Sequence, residues 1–399
     1  MLTYMQQYGN ISLTEKPFTA IDNLIFSQLS YCRYEQVAGE LPARMAKLAG
    51  RVHGGVNAQD EPLLASVYAL PRYSSAIAYR YESMFDEVVA LQFAAVTFLL
   101  PDGTAYISFR GTDNTLVGWK EDFHLSFSTP IPAQLQAVKY LNEVASALAC
   151  PIRVGGHSKG GNLAVYAAAF CSPDVQARIQ AVYSNDGPGH DLKTVESPGY
   201  LRIAPRMHTY IPKSSVIGML MEHSKDYQVV DSDAHGLFQH NPYSWQVQND
   251  DFVYLPRTTV SSDTMNESIR EWLTGMDMEK RRFLFDTIFE VLGAGDAQTL
   301  HELRTDARTL GPVITAAMTL PPEERKQLFD LLAQFIKTAA AQYGTLARGT
   351  IAPVKNLASD LRDEAKPVID KLSAVRALAT TILNKLEELP SSGSSGEKK

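Results

Sequence analysis

The chain has 399 residues, of which 45% are apolar and 20% charged, with a formal net charge of -7. That length exceeds one minimal core, the composition is ordinary for a globular protein, and the charge gives nucleic acid no general reason to bind. Cys32, Cys150 and Cys171 form no CxxC pair, which argues against a disulfide framework or a zinc cluster.

Met1 to Lys16 lacks the basic-then-apolar layout of a signal peptide, and no segment approaches the roughly 20 apolar residues of a membrane span. A soluble protein of a reducing cytoplasm is expected. From Phe18 to Glu40, Ile21, Leu24, Ile25 and Leu29 recur at helical spacing, with Pro42 as a break. Val88 to Leu100 is β-rich, Pro101-Asp102-Gly103 is a turn, and Ala105 to Phe109 is a second strand. A helix is predicted over Gln134 to Leu148, a strand over Pro151 to Gly155 and an Ala-rich helix over Asn162 to Phe170. Further strands are predicted at Ile179 to Ser184, His208 to Ile211 and, as the last, Tyr227 to Val230. This alternation predicts an α/β fold with a mainly parallel sheet flanked by helices.

Past residue 256 helical signals take over, so a domain over 1–256 and an all-helical C-terminal extension over 257–390 are expected. Glu267 to Leu292 reads as helix, Pro321-Pro322 opens another through Ala340, and an apolar stripe runs from Val354 to Leu378 with Pro367 as a kink. The stripe could dock a partner helix, self-associate or pack on the rest of the chain. Residues 391–399 form a Ser/Gly/Lys tail that reads as disordered.

The chemistry concentrates in Pro151-Ile152-Arg153-Val154-Gly155-Gly156-His157-Ser158-Lys159-Gly160-Gly161-Asn162. A strand runs into GxSxG and then into a helix. A nucleophilic serine must sit on a sharp turn so that its oxygen clears the sheet, and that crowding demands small residues at 156 and 160. The helix that follows aims free N–H groups and its dipole at a developing oxyanion. Lys159 would supply the first oxyanion donor from its backbone; its side chain reads as a solvated charge. The second donor must come from another loop, and Thr112, at the end of Phe109-Arg110-Gly111-Thr112, offers an N–H and a hydroxyl.

The base should be a histidine downstream of the serine. His190, His208, His223 and His301 are placed less well than His235 and His240, which follow the last predicted strand; His240 is favoured. For the acid, Asp186 in Ser184-Asn185-Asp186-Gly187-Pro188-Gly189 sits at a strand's C-terminal edge, with Asp231 and Asp233 as alternatives. An Asp there could also merely cap the Gly-Pro turn.

Phe109-Arg110-Gly111-Thr112, the Trp119/Asp122 pair and Gly156-His157-Ser158-Lys159-Gly160-Gly161-Asn162-Leu163-Ala164 resemble class 3 lipases. The chain is similar more closely to a bacterial lipase-like family of cytoplasmic α/β-hydrolases in Ser184 to Gly189, Val216 to Leu220 and Gln239-His240-Asn241-Pro242. The resemblance implies an α/β-hydrolase fold, Ser158 as nucleophile, Thr112 and Lys159 as oxyanion hole and His240 as base. It departs after Tyr210-Ile211, where class 3 lipases carry their acid and this chain has Ser214 and Ser215. Either Asp186 takes that role or the triad is incomplete.

The expected activity is hydrolysis of a small acyl ester or lipid through a Ser158–His240–Asp186 triad, with no metal and no cofactor. Asn114 to Pro132, with Trp119, Phe123, Leu125 and Phe127, reads as a lid or as ordinary core. The competing expectation is a non-catalytic interaction protein built on a hydrolase scaffold.

Overall fold

The computed structural model describes residues 1–349 except 56, 113–120, 122–124, 126–128, 223–225, 235 and 295–306. Nine strands line up in chain order in one sheet: Ala43–Arg44 (β1), Ile77–Asp86 (β2), Leu91–Leu99 (β3), Ala105–Phe109 (β4), Ile152–His157 (β5), Ile179–Asn185 (β6), Met207–Pro212 (β7), Tyr227–Val230 (β8) and Tyr254–Leu255 (β9). Neighbours from β4 to β8 are parallel; the outer pairings are antiparallel. The expected hairpin is present, with Leu99 opposite Ala105 across β3 and β4.

Side chains alternate between the two faces, as a strand's period of two requires. Tyr106 and Tyr183 join a core with Ile21, Leu24, Phe26 and Leu29 of helix α1 (Ala20–Leu29). Ile107, Phe109, Val154 and Val182 face the opposite core, built with helices α2 (Pro132–Ala147) and α3 (Lys159–Phe170). The sheet is therefore covered on both sides, and its parallel centre carries the near-continuous apolar runs such burial demands.

Three expected elements are corrected. The first helix spans only Ala20–Leu29, opened by a Thr19–Asp22 capping box. β8 is not the last strand, since Tyr254 and Leu255 pair with Val230 and Val229. The single helix expected over Glu267 to Leu292 is two, α4 (Val260–Thr274) and α5 (Met278–Gly293). Gly275 follows the first, and the Asp277 side chain accepts the Lys280 N–H to start the second. Helices α6 (Ala307–Thr319) and α7 (Pro322–Gly349) follow; Leu284, Phe285, Leu328 and Leu331 form a third core, and Trp272 Nε1 donates to Leu331 O over 3.0 Å. The stripe Val354 to Leu378 and the tail lie outside the described residues. Among the described residues no helix is long and apolar enough to cross a membrane.

Candidate active site

Register alone gathers the expected residues. Phe109 pairs with Gly156, His157 with Asn185, and Asn185 with Tyr210, so β4, β5 and β6 end at one level. Thr112, Ser158 and Asp186 each lie just past those ends, on the edge where open α/β sheets hold their ligands.

Ser158 has φ 58° and ψ -134°, a region non-glycine residues avoid, and α3 begins at the next residue. Such a backbone costs about 1–3 kcal/mol and persists only where surroundings enforce it. Here the Ser158 N–H donates to Asn185 O over 2.9 Å, and Asn185 Nδ2 donates to Gly156 O over 3.0 Å. The Asn185 side chain is held from below by Asn23 of α1, whose Nδ2 donates to Asn185 Oδ1 over 2.8 Å. Asn185 therefore grips the turn on both sides. It is fully buried, and its role rests on partners distant in the chain, Asn23 and Gly156.

The crowding expected at the turn is real. A Cβ on Gly156 would sit 2.3 Å from Gly160 C and 2.6 Å from Phe109 O; one on Gly160 would sit 2.1 Å from Phe109 O. These are backbone atoms and cannot swing away. Gly156→Ala should therefore lower stability by about 3 kcal/mol or more, read as a drop in the denaturant midpoint; a wild-type midpoint would contradict the packing. A Cβ on Gly111 would meet Ser158 Cβ at 3.1 Å, which brings the backbone leading into half-buried Thr112 against the elbow.

Asp186 also has a positive φ, 50°, and is fully buried. Its Oδ1 accepts from Ser215 Oγ over 2.5 Å and from Gly218 N–H over 3.1 Å; its Oδ2 lies 2.6 Å from His240 Nδ1. Ser215, which stands where a carboxylate is missing after β7, thus supports the carboxylate at the end of β6. Behind it, Ser215 O accepts from Ser262 Oγ at 2.5 Å and Asn266 Nδ2 at 3.1 Å, so α4 braces the acid loop. The other expected acids are elsewhere: Asp231 pairs with Lys213 at 2.6 Å, and Asp233 is exposed.

His240 ends a short 3-10 helix, Gly236–His240, and its side chain is 27% exposed. With Nδ1 turned to Asp186, Nε2 faces away from the carboxylate. The ring packs on His157, centroids 4.6 Å apart, which sets it beside the residue that precedes Ser158. Among the described residues the Ser158 hydroxyl makes no hydrogen bond; in substrate-free sites such contacts are often long and tighten on binding. His235, His223 and His301 lie outside the described residues. His190 is buried against Asn162, and His208 stacks on Tyr183 with centroids 5.0 Å apart.

His157 itself is a second unexpected member. Its Nε2 donates to His240 O over 2.8 Å, and the Tyr31 hydroxyl stands 3.2 Å from its Nδ1. Burial, reinforced by the neighbouring His240, holds its pKa well below 6.5. The unfolded chain takes up a proton there below about pH 6.5 and the folded one does not. Stability should therefore fall with acidification by up to about 1.4 kcal/mol per pH unit. His157→Gln should flatten the slope of unfolding free energy between about pH 6.5 and 5; an unchanged slope would show that the imidazole titrates normally.

The Lys159 side chain corrects an expectation outright. It is not solvated: it is fully buried, with Nζ 2.7 Å from Glu121 Oε2. Of the segment expected to form a lid, Asn114 to Pro132, the described residues are Glu121, Leu125 and residues 129–132, and Leu125 and Ile131 are buried core; Trp119, Asp122, Phe123 and Phe127 lie outside the described residues. Among the described residues no group of His, Cys, Asp or Glu could hold a metal ion.

The sequence profile of a family described as Mbeg1-like matches residues 67–290, more than half the chain, and that span contains the elbow, Asp186 and His240. The chain belongs to the Mbeg1-like family. Of solved structures, the Mbeg1-like chain is similar to the native Rhizomucor miehei lipase propeptide complex, at 15% identity and a TM-score of 0.34, over 52% of this chain and 65% of that one. It is also similar to a mutant form of MDLA from Penicillium cyclopium, at 11% identity and a TM-score of 0.36, over 62% of this chain and 87% of that one. No curated protein matches this Mbeg1-like chain.

Proposed function

We propose that this Mbeg1-like protein is a serine hydrolase of carboxylic esters. The observation that carries the reading is the 2.6 Å contact between His240 Nδ1 and Asp186 Oδ2 at the sheet edge where Ser158 occupies a strained elbow. In the proposed reaction Ser158 Oγ bonds to the acyl carbon while its proton passes to His240 Nε2. Asp186 holds the imidazole in the tautomer that leaves Nε2 able to accept, and stabilises the cation that forms. The Thr112 and Lys159 N–H groups receive the oxyanion; the Lys159 N–H is the first of α3. Collapse breaks the C–O bond, the alcohol leaves with the proton from His240, and water repeats the sequence to free the acid and Ser158.

The test is a p-nitrophenyl ester series of increasing acyl length, with His240→Ala beside the wild type. Hydrolysis that falls by about 10⁴-fold or more in the variant is expected; equal rates would remove the proposal. The acyl length giving the largest kcat/KM would name the substrate class.

A further inference from the structure

The strongest feature that the mechanism leaves unused is the buried ammonium one residue past the nucleophile. Among the described residues Lys159 Nζ donates to Gln92 O at 3.1 Å, Gln92 Oε1 at 3.1 Å and Glu121 Oε2 at 2.7 Å. Glu121 is equally engaged. Its Oε2 also accepts from the Gln92 N–H over 3.2 Å, and its Oε1 from the Ala133 N–H, in the first turn of α2, over 3.2 Å. The side chains of both charged residues have no solvent exposure.

The chain positions of these partners give the cluster its meaning. Because β3 runs antiparallel to β4 with Ala95 opposite Phe109, Gln92 stands three residues beyond Phe109, level with the loop that carries Thr112. Lys159 follows Ser158, and Glu121 lies nine residues after Thr112 in the sequence. The Gln92 contacts thus tie the Lys159 side chain, and with it the elbow, to β3 at the level of Thr112, and Glu121 closes the cluster. A buried pair of this kind is seldom more stabilising than apolar side chains of equal volume, whereas leaving one member alone is costly. Stability gives it little reason to exist; register does.

We infer that Lys159 and Glu121, with Gln92 as the third contact, are positioning residues that fix the distance between the Thr112 and Lys159 amides of the oxyanion hole. This rests on the ester-hydrolase reading above. Neither side chain touches substrate. Breaking the pair should let the two amides drift relative to each other, and a drift of about 1 Å is enough to cost roughly 10²-fold in turnover.

The experiment compares wild type, Glu121→Gln, Lys159→Met and the paired Lys159→Met/Glu121→Leu, using p-nitrophenyl butyrate hydrolysis and thermal melting. Lys159→Met keeps its amide. The single variants should lose about 10–10²-fold in kcat with KM within about twofold. The paired variant should melt near wild type, because no charge is left unmatched, yet keep the low kcat. If the paired variant regains both melting temperature and kcat, the pair is packing alone and the inference is overturned. If the singles lose KM rather than kcat, it is likewise overturned. Wild type that neither hydrolyses the ester nor labels Ser158 with a fluorophosphonate overturns the hydrolase reading and the inference together; an active, labelled wild type beside a fully active paired variant overturns the inference alone.

Discussion

Ser158→Ala is expected to lower kcat for ester hydrolysis by about 10⁶-fold, to the residue of rate that binding and oxyanion contacts supply without a nucleophile. The loss should be almost entirely in kcat. Alanine removes an oxygen at a position whose exposure is 8%, so little packing is disturbed. It leaves the Ser158 N–H bond to Asn185 O and both elbow glycines in place. Melting should stay within a few degrees of wild type, or rise, since a polar group in a strained turn is deleted. Steady-state kinetics with freshly purified variant, checked for contaminating esterase by active-site titration, reads the effect. A kcat near wild type would mean that another residue forms the acyl bond.

The second large effect is expected from Asp186→Asn, at about 10⁴-fold in kcat. The amide is nearly the same size as the carboxylate, so Ser215 Oγ and the Gly218 N–H can keep their acceptor at Oδ1. What changes is the group facing His240. A carboxylate 2.6 Å from Nδ1 accepts a proton-bearing nitrogen and so leaves Nε2 as the base. An amide nitrogen in that position donates, which favours the tautomer with its proton on Nε2 and removes the acceptor that the serine needs. The variant should fold, with an unfolding midpoint close to wild type, and should still bind substrate at similar KM. A turnover within tenfold of wild type would reassign the acid.

Part of this geometry is legible in the sequence. The elbow was legible because its chemistry is local: a strand, a tight turn with glycines two residues to either side of the serine, and a helix all fall within Ile152 to Phe170. Asp186 and His240 could be placed after β6 and β8 because the alternation of strand and helix fixes which loops reach the same edge. The rest depended on contacts between distant residues. The β2 strand went unread since most of its residues are half-buried or exposed, so it lacks the alternation that marks a strand. Asn185, His157 and Tyr31 look unremarkable in sequence and acquire roles only when β5, β6 and the turn after α1 meet. Lys159 misled for the same reason: a lysine defaults to solvent, and the partners that hold it buried lie at 92 and 121. The break at Gly275 is written in the sequence as glycine followed by the capping Asp277, but the apolar spacing on either side masked it.

The missing carboxylate after β7 has a similar explanation. Ser215 has not left a gap; its hydroxyl donates to the Asp186 carboxylate at the end of the neighbouring strand, and α4 holds Ser215. The Asp186 loop and α4 are coupled by that bond, which gives this sheet a reason to carry α4.

The measurement that tests the central claim most directly is covalent labelling. Wild-type protein and His240→Ala are each incubated with a fluorophosphonate, digested and mapped by mass spectrometry. One adduct is expected, on the peptide containing Ser158, forming rapidly in wild type and at a small fraction of that rate without the imidazole. No adduct on Ser158 in folded wild-type protein, or equal labelling in the two proteins, would contradict a serine activated by His240.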